Sequence, residues 1–121
     1  MQDYHIKQHE STRHPPMTLN GNIATSKATI YKVPVSTPGN PNSGKPKSLA
    51  WIRIVNGSGA DRTFNLYLNL NGTSRNIVPV STELGIGYAY GDDIPPLDLE
   101  PGSLVEADAS GTGVLWTISV V

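Results

Sequence analysis

From Ala28 to the C-terminus, turn-forming residues cut the chain every few positions, and between the cuts apolar residues recur at every second place. That period of two dominates what such a chain can fold into. Successive side chains on a strand point to opposite faces, whereas a helix needs apolar residues three and four apart. In "RTFNLYLNL", Phe64, Leu66, Leu68 and Leu70 share one parity, and Asn65, Tyr67 and Asn69 share the other. In "SLAWIRIV", Ala50, Ile52 and Ile54 alternate with Trp51, Arg53 and Val55. The closing "GVLWTISVV" puts Val114, Trp116, Ile118 and Val120 on one face, which makes Trp116 a core residue.

The punctuation between these runs is equally specific. Asn56 to Asp61 is a run of turn-tolerant residues, and the pair Asn71-Gly72 suits the two central positions of a tight hairpin, where positive backbone angles favour it. That hairpin leads to a strand expected over 74–80. "ATIYKVPV" reads as the first strand, and "STPGNPNSGKPK" as a long, rigid polar loop. "LGIGYAY" places Ile86, Tyr88 and Tyr90 on one face, the prolines of "IPPLDLE" suit an edge or a strand entry, and Pro101-Gly102 turns the chain into "SLVEADAS". Seven or eight short strands at this spacing predict an all-β fold, an antiparallel β-sandwich or jelly roll, over residues 27–121. The 121 residues suffice for one such domain, and a composition of 12 Gly, 10 Pro and only 16% charged residues fits many turns better than long helices.

Residues 1–26 differ. They hold all three histidines (His5, His9 and His14) and the pair Pro15-Pro16, with little periodic pattern. We read an extended arm, with a short helical turn through His5, His9 and Arg13 as the alternative. Its few apolar residues, Tyr4, Ile6, Met17 and Leu19, are too sparse to fold alone, so they are anchors for a partner surface.

Several function classes are disfavoured on elementary grounds. The chain has no cysteine, hence neither disulfides nor thiolate chemistry. No apolar run approaches the ~20 residues of a membrane helix, and the N-terminal stretch lacks the apolar centre of a secretory signal. The glycosylation patterns at Asn56 and Asn71 are better explained as turns. The net charge is −1, but all nine basic residues lie in 1–75 and seven of the ten acids in 76–121. Scattered bases do not make a nucleic-acid stripe; the asymmetry suits attraction between parts of the fold or between neighbouring copies.

Catalytic chemistry finds little support. The histidines sit in the arm, away from any rigid scaffold for a nucleophile, and their spacing matches no closed zinc site. Asp92-Asp93 is the densest acidic pair and the one calcium candidate, yet adjacent residues do not supply oxygens at alternate positions. Asp98, Glu100, Glu106 and Asp108 alternate as an outer strand face would. "GIGYAYG" precedes no helix and cradles no phosphate. No cofactor is expected. What remains is a set of outward aromatics: Trp51 with Arg53, and Tyr67 between Asn65 and Asn69, suited to a protein interface or to stacking on a glycan.

Three segments, "LAWIRIVNGSGADRTFNLYLNLNGTSRNIVP", "DDIPPLDLEPGSLVEADAS" and the final "WTISVV", together resemble small β-sandwich structural proteins of tailed bacteriophages, which show a strand ending in Val-Asn, an "sGad" turn, and an "LYLN" strand. The likeness spans residues 27–121 and leaves the arm outside. It implies a virion protein without catalytic residues: a capsid decoration or cement protein, a head fibre or a tail-associated piece. The implied partners are the major capsid protein or another virion protein and further copies of the chain in a homo-oligomer, with assembly in the host cytoplasm. A glycan-binding module of a tail or fibre is the alternative.

Overall fold

The computed structural model describes residues 17–35, 47–91, 94 and 96–121. The arm anchors Tyr4 and Ile6, the three histidines and the pair Asp92-Asp93 lie outside the described residues. Those residues form ten strands and no helix: β1 Met17–Asn22, β2 Ala28–Lys32, β3 Lys47–Asn56, β4 Arg62–Leu70, β5 Thr73–Asn76, β6 Thr82–Leu84, β7 Ala89–Tyr90, β8 Leu97–Leu99, β9 Leu104–Ala109 and β10 Val114–Val120.

All pairings are antiparallel and they are nested. β1 pairs with β10, β2 with β9, β3 with β8 and β7, and β4 with β5 and β6. Further pairings of β10 with β3 and of β9 with β4 complete two sheets, β1-β10-β3-β7/β8 and β2-β9-β4-β5/β6. A long hairpin rolled so that its successive legs alternate between two facing sheets is a jelly roll. The all-β antiparallel sandwich read from the sequence is therefore the observed architecture. Its ten strands fill eight ladder positions, because β7 with β8 and β5 with β6 each share one edge.

The alternation explains the core. Phe64, Leu66, Ile52, Ile54, Val114, Ile118 and Val120 are buried between the sheets, and so is Trp116. Tyr90 meets Phe64 edge to face, with ring centroids 5.5 Å apart. Leu49 is buried as well, although it has the parity of Trp51. The register of β3 against β10 slips between Ser119 and Val120, so Ala50 is the extra residue of a bulge and the face of β3 switches there. Asn71 (φ 52°) and Gly72 (φ 86°) carry the two positive backbone angles expected of the tight hairpin between β4 and β5.

Three details depart from the sequence reading. The sandwich begins at Met17 rather than at residue 27: β1, assigned to the arm, runs along β10 with Leu19 opposite Ile118 and Gly21 opposite Trp116. The sparse apolar pattern of β1 has a physical reason. A Cβ on Gly21 would sit 3.0 Å from the Trp116 ring, so the indole of the neighbouring strand covers the place where a side chain is missing. The strand expected over 74–80 ends at Asn76; Ile77 donates its N–H to the Leu66 carbonyl and Val78 then dips into the core. "LGIGYAY" is a turn followed by a two-residue strand. Gly87 at φ 76° breaks the alternation and leaves Ile86 and Tyr88 exposed, while Tyr90 alone turns inward.

Candidate functional site: two contrasting outer faces

The two sheets turn different chemistry to the outside. On the second sheet the outward residues of β4 lie opposite those of β9 and β5, with Asn65 facing Asp108 and Tyr67 facing both Glu106 and Asn76. They bond to one another. Asn65 Nδ2 donates to Asp108 Oδ1 at 2.8 Å, and Tyr67 Oη donates to Asp108 Oδ2 at 2.6 Å. Asn69 Nδ2 and Ser74 Oγ both donate to Glu106 Oε1, at 3.2 and 3.3 Å. Asn65 Oδ1 accepts the Ser81 N–H at 2.8 Å, and the ammonium of Lys27 stands 4.1 Å from the centre of the Tyr67 ring while reaching Ser74 Oγ. Burial, the hydrogen bond to Asp108 and the charges of Asp108 and Glu106 push the Tyr67 phenol up to about 12. This face is thus a lattice of charge-assisted hydrogen bonds already satisfied within the molecule. One side of the Tyr67 ring is capped by Lys27, so Tyr67 is not the open platform that its parity alone suggested.

The first sheet is different. Its outward rows run Thr18–Ser119–Trp51, Asn20–Thr117–Arg53 and Asn22–Leu115–Val55–Ala89. Trp51 is 45% exposed and Leu115 42% exposed, with Val55 half-buried opposite Leu115 and the Arg53 row between them and Trp51. On its outer side β3 pairs with β8 up to Leu49 and with β7 from Ile54 onward, so the stretch 50–53 has no strand partner there among the described residues. That gap opens a depression of about 350 Å³ lined by Trp51, Ile52, Arg53, Gly91 and Ile94. Gly91 shapes it by contact. Any Cβ there would lie 2.2 Å from the Ile52 carbonyl oxygen, so only glycine lets the chain pass this close to β3.

The structure therefore keeps Trp51 and Arg53 together, as the sequence suggested, but sets Tyr67 on the opposite outer face. Met17 and Leu19 share the β1 edge and point to its core side, Met17 exposed and Leu19 half-buried. Leu115 follows from the same alternation, since the shared parity of Val114, Trp116, Ile118 and Val120 leaves it on the outer face, although it was not singled out with the outward aromatics. A second depression is lined by Asp61, Arg62, Thr63, Glu83 and Ser110, among others. Among the described residues no cluster of three or more His, Asp or Glu is placed to hold a metal ion, and no helix is long and apolar enough to cross a membrane. No protein-family model, no characterised protein and no solved structure matches the chain.

Proposed function

We infer that the protein is a non-enzymatic structural subunit of a bacteriophage particle, a capsid decoration or cement protein that lies against the major capsid protein or another virion protein. The sidedness of the jelly roll carries this reading. One outer face spends its polar groups on itself, while the other offers an exposed Trp and Leu, a partly shielded Val and an Arg, with a continuous uncharged strand at its margin. Aromatic residues and Arg are favoured at protein interfaces, and a subunit that coats a surface needs one adhesive side and one inert side. The sequence likeness to phage β-sandwich proteins points the same way. A second reading, a glycan-binding module of a tail or fibre, is favoured by one observation: the depression beside Trp51 and Arg53, where a sugar ring could stack on the indole.

Adding the purified protein to capsids that lack this component tests both. Saturable binding to capsids that Trp51→Ala with Arg53→Ala abolishes, without change in the melting temperature, supports decoration. Absence of capsid binding together with Trp51-dependent retention on immobilised glycans replaces it with the second reading.

A further inference from the structure

We propose that β1 pairs with β1 of a second copy across a two-fold axis through Asn20, joining the first sheets of two molecules into one continuous sheet. β1 is the outermost strand of its sheet among the described residues. Its backbone polarity follows from its ladder. Ile23 N–H donates to the Val114 carbonyl, and antiparallel bonding alternates, so Ile23, Gly21, Leu19 and Met17 turn their backbone groups to β10. The N–H and C=O groups of Thr18, Asn20 and Asn22 then point away from the sheet, toward whatever lies beyond the edge.

Natural edge strands are guarded by charged side chains, proline, bulges or extreme shortness. "MTLNGN" has no charge and no proline, runs six residues, and keeps an unbroken register with β10. The strand is also complementary to itself. In an antiparallel pair whose partner numbers sum to 40, Thr18 faces Asn22, Asn20 faces Asn20 and Asn22 faces Thr18, so all three outward-bonding residues are used. Shifting by one repeat in either direction loses one of these three pairs. On the other face of the same register Leu19 comes opposite Gly21 of the second copy. Gly21 carries no side chain, and the Trp116 ring lies 3.0–3.1 Å from where its Cβ would be. The Leu19 side chain of one molecule thereby meets the indole of the other, extending the core across the junction.

This arrangement does not depend on the virion reading, and its test uses purified full-length protein. The chain contains no cysteine, so single cysteines report position without background. Asn20→Cys should oxidise to a covalent dimer, because paired Cα atoms on the axis lie about 5.5 Å apart. Thr18→Cys should not, because its counterpart is then about 13 Å away along the strand. Sedimentation of the parent at ~100 μM should give twice the monomer mass, reverting to monomer in Asn20→Lys, which sets two ammonium groups face to face. Asn20→Pro should do the same while leaving the β1–β10 ladder intact, since the lost N–H is an outward one. A monomeric parent, equal cross-linking at positions 18 and 20, or a dimer that survives both Asn20 variants overturns the proposal. So does an edge that becomes protected from hydrogen exchange only when a different protein is added.

Discussion

Asn56 is 1% exposed, and its side chain is used completely. Its Nδ2 donates to the carbonyls of Ala60 at 2.8 Å and Leu84 at 2.9 Å, and its Oδ1 accepts from the Ser58 N–H at 2.9 Å and Ser58 Oγ at 2.7 Å. One amide thus ties the β3–β4 crossing to β6. At about 1 kcal/mol for each lost hydrogen bond, Asn56→Ala should lower stability by roughly 2–4 kcal/mol in urea unfolding; a loss below about 0.5 kcal/mol would show that water replaces the amide. The sequence marked Asn56 as a turn residue, which is correct locally, but the bond to Leu84 spans 28 positions and no local pattern encodes it. Trp116 was legible because three apolar neighbours share its parity, and Trp116→Ala should cost roughly 3–5 kcal/mol. An unchanged melting temperature there would contradict its packing in the core and over Gly21. Tyr31 is a further case: its ring is buried, and its hydroxyl has no hydrogen-bond partner among the described residues. Tyr67 makes a testable pH statement. Its folded pKa is raised from 10.0 to about 12, so its contribution is complete below pH 10 and disappears as the pH climbs through about 12. Subtracting the spectrophotometric titration of Tyr67→Phe from that of the parent should isolate one phenol ionising near 12; a difference curve centred near the ordinary value of 10.0 would remove Asp108 as its partner.

At the scale of elements, the strands with full alternation were readable and the ones defined by their neighbours were not. β4 and β10 carry their inward residues in plain period two. β1 does not, because a strand with Gly21 at an inward position depends on Trp116 to complete its face, and Trp116 is far away in sequence. β6 and β7 are three and two residues long, too short for any periodicity to register. The loops were recognisable as loops, yet nothing in Asn56–Asp61 or Pro101-Gly102 distinguishes a hairpin from a crossing between sheets, and both are crossings. Placing β1 in the sandwich changes what a truncation should do. Deleting residues 1–16 removes none of the ten strands and should leave the melting temperature within a degree or two of the parent. Deleting 1–22 strips β1 from β10 and uncovers Trp116 and Ile118, and should lower it well beyond that or prevent folding. Equal melting temperatures for the two truncations would mean that β1 is dispensable and that the sandwich does begin near residue 27.

At the scale of the whole molecule, the proposed function needs two means of attachment, since Trp51 and Leu115 stand on rows four residues apart and are too few to make the core of a stable protein contact. Residues 1–16, which lead directly into the β1 edge, are the natural second means. Two weak contacts made by one molecule act at high effective concentration, so losing either can reduce binding by about 10²–10⁴ although each is modest alone. On capsids lacking this component, the 1–16 deletion and Trp51→Ala should each bind far more weakly than the parent. The double variant should lose even the residual binding of the single ones, because it has given up the remaining contact as well as the linkage. A double variant that binds as well as either single one would instead mean that the two changes disable one and the same contact. Equal occupancy of the parent and the 1–16 deletion would rule out the N-terminal segment as an anchor and leave attachment to the first sheet alone, where the same measurement on Trp51→Ala then decides whether its outer face or its β1 edge meets the capsid.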